Sequence, residues 1–298
     1  MQNRQKGYLC ALGAVMIWSG FILVSRRGGL SSLTAYDVIA IRYLSCAALL
    51  FPVWFFWKRF KLLQLKLIVS ALIGGLSYAL FAFNGFVQAP ASHAAVLLPG
   101  LLPVMIIMLS SFLNGEQHQI SKWLGVSVIT FGVGVLFWQE YQLNGVFSQG
   151  HLCLAGAAFC WAIFSVLINR WNISPWEATV SLALVTATVY LPIYSLVLPK
   201  NISPSLWQDI VLQSFYQGFM ATIVQMLLYV RAVQLIGASS MGSMMAIVPV
   251  LAGVGAIFIF NEPVRISLVM ALVLVSSGIW LANTRWWHKR ISVSTTNP

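Results

Sequence analysis

The stretch Gly7–Arg27, GYLCALGAVMIWSGFILVSRR, recurs 143 positions later as Gly150–Arg170, GHLCLAGAAFCWAIFSVLINR. Eight of the 21 positions are identical, among them Gly7/Gly150, Cys10/Cys153, Gly13/Gly156 and Trp18/Trp161. Apolar segments share Leu and Ala by accident, but a common register of Gly, Cys and Trp is far rarer. The chain therefore reads as two copies of one unit of about 145 residues, and whatever fold it takes is built twice.

Only 8% of residues are charged, against roughly a quarter in a soluble domain, and mean hydropathy is +0.86. Apolar runs of about 20 residues recur along the chain, each long enough to cross a ~30 Å hydrocarbon layer as a helix. Ten spans are predicted, at about 7–27, 36–57, 67–87, 93–113, 121–139, 150–169, 176–198, 209–230, 239–260 and 266–284. Backbone groups in lipid must find their partners within each segment, so the spans are helices. Ten spans in two copies give five per copy. Five is odd, so the second copy (150–284) enters the membrane upside down relative to the first (7–139). Inverted repeats of this kind are an architecture of secondary transporters.

Placing the N-terminus inside puts twelve of the seventeen Lys and Arg on the inner side and four outside (Arg26, Arg27, Lys200 and Arg265), with Arg42 within a span. Cytoplasmic loops carry that excess, so both termini are expected inside. The net charge of +11 then belongs to loops facing the cytoplasm, and no nucleic-acid partner is expected. Cys10, Cys46, Cys153 and Cys160 all lie in apolar runs without a CxxC pair. They read as core fillers rather than disulfides or metal ligands.

The back halves of the copies align at an offset of 146, pairing Gln88 with Gln234, Pro103 with Pro249, Glu116 with Glu262 and Gly132 with Gly278. The patterns VQ…P…GE…G at 87–132 and VQ…P…NEP…G at 233–278 resemble the EamA-type repeat of the drug/metabolite transporter superfamily. The inner-span tryptophans Trp18 and Trp161 and the Arg42 of the second span fit the same resemblance. Each motif is weak alone, but their order and duplication are specific and cover essentially the whole chain. The second copy departs in its second span, where the apolar run SLALVTATVYL occupies the position expected to hold an Arg. The resemblance implies an all-α integral membrane carrier of ten helices in the bacterial inner membrane. It would export small metabolites, amino acids or related solutes, by alternating access around a cavity lined by spans 1, 3, 4, 6, 8 and 9. It implies no cofactor, metal or catalytic residue.

Trp18 and Trp161 are each the twelfth residue of their span, whereas the other ten tryptophans lie near span ends. A mid-membrane indole needs an acceptor for its N–H, so the pair either lines a central cavity or packs against Gly13 and Gly156. Arg42 sits five residues past Asp37, roughly one and a half turns below the outer surface. An intramembrane cation is a functional candidate; the alternative is snorkelling outward, with Asp37 or Tyr36 as partner. Glu116 and Glu262 fall in turns, as coupling carboxylates or as caps on the helix that follows. No acid lies mid-membrane, which leaves a proton or an exchanged solute open as coupling partner. Polar residues within spans are few. Tyr78, Asn84, Gln88, His93, Gln225 and Ser243 are candidate substrate contacts, with Gln217 and Tyr229 beside them, or helix-to-helix hydrogen bonds. Pro99, Pro103 and Pro249 are expected to kink their helices.

The rivals are a channel or structural membrane subunit, and a lipid-modifying membrane enzyme. The enzyme would need HExxH, paired acids or clustered histidines. None is visible, and the histidines are dispersed at 93, 118, 151 and 288. A small-molecule substrate and the lipid bilayer are the expected partners, and the sequence leaves the oligomeric state open.

Overall fold

The computed structural model describes residues 2–144 and 148–283. Arg285, Trp286, Trp287, His288, Lys289 and Arg290, which entered the charge, tryptophan and histidine arguments, lie outside the described residues. The described chain is helical throughout its spans: α1 (Asn3–Leu30), α2 (Ala35–Phe56), α3 (Leu65–Gln88), α4 (Ala91–Leu113), α5 (Ile120–Leu143), α6 (Gln149–Arg170), α7 (Pro175–Leu196), α8 (Pro204–Ile236), α9 (Ser240–Phe260) and α10 (Ile266–Asn283). All ten are long and apolar enough to cross a membrane. Two ends differ from the sequence reading in ways that matter. α1 runs past Arg26 and Arg27, and α5 runs past Glu140, so all three side chains leave from helical backbone.

Helix boundaries repeat between the copies because their chemistry repeats. α2 and α7 both open with a capping box. Thr34 Oγ1 accepts the Asp37 N–H at 3.1 Å while Asp37 accepts the Thr34 N–H at 2.7 Å. Ser174 and Glu177 do the same at 3.2 and 3.1 Å, each box satisfying donors that a helix start leaves bare. α4 ends at Gly115, with φ 65°, and α9 at Asn261, with φ 51°. Both are left-handed caps, the conformation Gly and Asn tolerate best, which explains why each Glu of the back-half motif follows Gly or Asn.

The third helix of each copy also changes its hydrogen-bond register. Leu72–Ser77 in α3 and Ser214–Val224 in α8 are π-helical, a rare form that is frequent at functional sites. Glycines let these wide turns lie against neighbours: a Cβ at Gly75 would collide with the Thr186 hydroxyl of α7, and one at Gly218 with Ser45 of α2. The helix continues through Pro99 and Pro103 in α4. In α9 it lapses at Ala246, where Pro249 has no N–H to offer the Met245 carbonyl.

The packing obeys a pseudo-two-fold axis. α1 packs along α8 and α9 of the other copy, and α6 packs along α3 and α4; α2 faces α7, and α5 faces α10. The symmetry then breaks. α1 also packs on α3 and α4, and α2 on α3, whereas among the described residues no matching seams join α6 to α8, α6 to α9, or α7 to α8. The result is a cleft, shut at the end where α1 finishes and open at the end where α6 finishes.

Candidate functional site

Arg42 lies directly behind the shut end. Its side chain is 6% exposed, so it does not snorkel. Asp37, the partner expected from sequence, is fully committed to Thr34, to the Tyr194 hydroxyl at 2.5 Å and to the Asn201 N–H at 3.1 Å. Arg42 instead donates from Nη1 to Gln217 Oε1 at 3.0 Å, and Gln217 Nε2 donates onward to Ser25 Oγ at 3.0 Å. The guanidinium lies 5.5 Å from the centre of the Phe21 ring and 5.9 Å from that of Tyr43. Its Nε–H is buried without a partner. Among the described residues no carboxylate comes within 4.0 Å of it.

The π segment of α8 positions this group. Gln217 sits within it, and the Thr222 hydroxyl donates to the Gln217 carbonyl at 2.7 Å. Cys46 Sγ lies 3.3 Å from the same hydroxyl, and the Tyr43 hydroxyl donates to the Gly75 carbonyl in the π segment of α3 at 2.8 Å. Both register changes therefore touch the neighbourhood of Arg42.

Phe21, the ring under Arg42, also closes the cleft. It meets Phe83 and Phe86 of α3 edge-on, at 6.5 and 5.9 Å. Arg26 Nη1 donates to the Phe86 and Val87 carbonyls at 2.7 and 2.9 Å. Glu262 accepts the Ala91 and Ser92 N–H groups at 2.7 and 2.9 Å. It is a cap, but on α4 of the other copy rather than on the helix that follows it. Glu116 lies 3.9 Å from His118 in the turn after α4.

The remaining candidates do not gather in one place. Trp161 of α6 packs on Tyr78 at 4.9 Å and Phe164 at 5.1 Å, and Tyr78 follows directly on the π segment whose Gly75 carbonyl Tyr43 touches. Trp18 is half-buried against the core on α1, which among the described residues shows no packing seam with α6. Asn84 Nδ2 donates to the Leu80 carbonyl at 2.8 Å and Gln88 Nε2 to the Asn84 carbonyl at 3.3 Å, so both bond to their own helix. Gln225 is half-buried at the end of the π segment. Ser243 lines a separate cavity of about 610 Å³ with Tyr8, Met244 and Trp280. His93, expected to stand alone, meets His151 at 2.8 Å, so the histidines dispersed in sequence do form a pair in space.

A profile of the EamA-like transporter family matches the chain twice, over residues 5–138 and 148–284. The chain belongs to the EamA-like transporter family. Similar family members include an uncharacterized transporter, YoaV, from Bacillus subtilis (strain 168), 22% identical over 96% of this chain and 99% of that one. A probable amino-acid metabolite efflux pump of Escherichia coli (strain K12) is 27% identical over 98% of this chain and 100% of that one. The aromatic amino acid exporter YddG of Ancylobacter novellus is 30% identical, over 39% of this chain and 42% of that one. A solved crystal structure at 20% identity covers 93% of this chain and 96% of its own with a TM-score of 0.60, a likeness of fold. The protein is thus a multi-pass membrane transporter that handles a small molecule in a lipid environment.

In this EamA-like chain the sequence marked Arg42 but not its network. Nothing in the sequence singles out Ser25 or Gln213, yet Gln213 is fully buried and donates to the Val24 carbonyl at 2.8 Å. A Gln or Ser in an apolar run is a weak signal, and its partner is set by packing across nearly two hundred positions.

Proposed function

We propose that the protein exports amino acids or closely related small carboxylates across the bacterial inner membrane, the Arg42 guanidinium receiving the solute's carboxylate. Both termini face the cytoplasm, so the open end of the cleft takes up solute from inside, and the group of α1, α8 and α9 rocks against that of α6, α3 and α4 to open the end where α1 finishes, at Gly29, outward. Tyr78 and Trp161 offer an aromatic wall to the rest of the solute. Trp18 and Gln225 flank its path; Ser243 in its own cavity, Asn84 and Gln88 bonded to their own helix, and His93 paired with His151 stand away from it. A proton or a returning solute supplies the coupling.

One observation carries this reading: a buried arginine that, among the described residues, no carboxylate neutralises and whose Nε–H is unpartnered. A bare cation out of water is costly. A carboxylate binding through Nε and Nη in the two-pronged geometry arginine favours would remove that cost. The match to an amino-acid metabolite efflux pump over nearly all of both chains supports the solute class. The resemblance to an aromatic amino acid exporter over part of the chain agrees with the aromatic wall.

The test is counterflow in proteoliposomes with amino acids and with the amines left when their carboxylates are removed, each with and without a pH gradient. Amino acids should exchange and the amines should not. Arg42→Gln should lower the rate by about a hundredfold, within the range of about 2–5 kcal/mol for truncating one partner of a buried charge pair, and Arg42→Lys should restore part of it. The reading fails if the amines move as fast as the amino acids, or if Arg42→Gln with unchanged melting transports normally.

A further inference from the structure

His93 begins α4 and His151 begins α6, and the fold stacks their rings 5.1 Å apart. His93 Nδ1 lies 2.8 Å from His151 Nε2. Glu140, in the last turns of α5, brings Oε1 to 3.9 Å from His93 Nε2. One nitrogen from each ring and one carboxylate oxygen lie within 4.8 Å of one another. The group is withdrawn from solvent: the side chains of His93 and Glu140 are 13% and 11% exposed, and His151 is 1% exposed. Phe137 covers His151 from the side, 6.0 Å between ring centres. A cavity of about 210 Å³, walled by Pro90, Pro263 and Arg265, opens onto His93 and Glu140.

Only one proton fits between two facing ring nitrogens, so one imidazole must donate and the other accept. Among the described residues His151 Nδ1 is buried without a partner in either arrangement, so the single shared proton carries this ring's hydrogen bonding. A metal ion in place of that proton would use both facing lone pairs at once. Two imidazoles and a carboxylate are a donor set that zinc accepts, with a water in the fourth position, and the adjoining cavity has room for that water. The facing nitrogens would separate from 2.8 Å to about 3.3 Å, the spacing set by tetrahedral bonds of ~2.0–2.1 Å. Calcium is a poor fit, because it takes six to eight oxygens. Glu140 offsets one of the ion's charges, while Arg265 across the cavity opposes it. That balance favours a tightly ligated divalent ion over a loosely held one.

We propose that His93, His151 and Glu140 bind a divalent transition metal of the zinc type, which staples α4 and α5 of the first copy to α6 of the second. The test uses tag-free, full-length protein in detergent, stripped with a chelator and titrated with zinc chloride by calorimetry and thermal melting. Saturable uptake of one ion per chain and a raised melting temperature are expected. Both should vanish in His93→Ala and in Glu140→Gln and persist in His118→Ala, which breaks the other His–Glu pair. Glu140→Gln keeps the shape of the side chain and decides the matter should His93→Ala not fold. X-ray absorption at the zinc edge of the loaded native protein should report two imidazoles and oxygen. No saturable uptake by the native protein, uptake unchanged in both variants, or a sulfur-ligated zinc would overturn the proposal.

Discussion

At the Gly29 end of the cleft, Phe21 meets Phe83 and Phe86, Arg26 ties down two carbonyls of α3, and Gly29 lets α1 touch that helix. The repeat offsets of 143 and 146 give each of these residues a counterpart at the opposite end: Phe164, Tyr229, Ala232, Asn169 and Asn172. There the helices stand apart, and Phe164 packs on Trp161 within its own helix. Two ends made from equivalent helices thus have unequal closures. One is a dry aromatic seam with a cationic clamp; the other has one large ring fewer and an amide where the clamp would be. An alternating-access carrier needs both ends to close in turn, and unequal closures set which state it rests in. The inequality, rather than the symmetry, gives such a carrier a resting direction.

The largest effect is expected at Gly29. A Cβ there would sit 2.7 Å from the Phe86 carbonyl oxygen and 2.9 Å from its carbon, and backbone cannot step aside as a flexible side chain can. Gly29→Val should cost about 1–3 kcal/mol, nearly all of it in the state with this end shut. That lowers the ratio of shut to open molecules by about fivefold at the least and by about a hundredfold at the upper end. A cysteine at Ser92, 1% exposed here, should label faster with an impermeant thiol reagent in a cysteine-free background, and transport should slow in step. Asn172, the counterpart, already holds a left-handed backbone with φ 49°. Asn172→Gly should leave labelling and transport alone, since glycine adopts that conformation freely. Equal effects from the two substitutions would refute the inequality.

Arg26→Ala comes next. The lost hydrogen bonds from a charged donor are worth about 1.5–3 kcal/mol where buried, but one of the two is exposed, which brings the expectation to about 1 kcal/mol. Labelling at the Ser92 cysteine should rise several-fold, with little change in melting temperature. Asn169→Ala should do nothing at either end. If Arg26→Ala leaves labelling at its parental rate, the aromatic rings hold the seam alone and the clamp is incidental.

How much of this was legible before the fold follows from the range over which each feature acts. The repeat and the apolar spans state ten helices and an inversion outright, because periodicity and length are local. The capping residues of α2 and α7 obey local rules as well. Arg42 stood out because a cation in an apolar run is conspicuous in any fold. Its partners were not legible: Gln217 is 175 positions away and Ser25 lies on another helix, joined only once α1, α2 and α8 pack. The π segments leave no mark beyond Gly74, Gly75 and Gly218, since a register change depends on which neighbours press against the helix. His93 and His151 each read as a solitary histidine, and the copies had to be set side by side before they met. Glu262 was legible only as a coupling carboxylate or a cap on the helix that follows it; the helix start it meets is α4 of the other copy, which its turn reaches only once the copies pack.

The smallest effect separates the two ends by pH. The turn after α4 holds His118, and the equivalent position after α9 holds Val264. The His118 side chain is 6% exposed, and burial, with Lys122 beside it, holds its pKa below the usual 6.5 against the opposing pull of Glu116. The Lys122 ammonium can only donate, so it meets Nδ1, 3.4 Å away, as an acceptor. Nε2 then carries the hydrogen toward Ser110 Oγ at 2.8 Å. This is the neutral ring. Folded His118 therefore binds fewer protons than unfolded His118 in the interval below 6.5, and stability rises with pH across it. The contribution is whole above the unfolded pKa and is lost as the pH falls through that interval. Thermal melts between pH 7.5 and 5 should show a loss of stability on acidification that shrinks in His118→Gln, while Val264→Ala keeps the full loss. An identical acid slope in parent and His118→Gln would mean that the turn at the open end carries no proton linkage, and that the difference between the ends is one of packing alone.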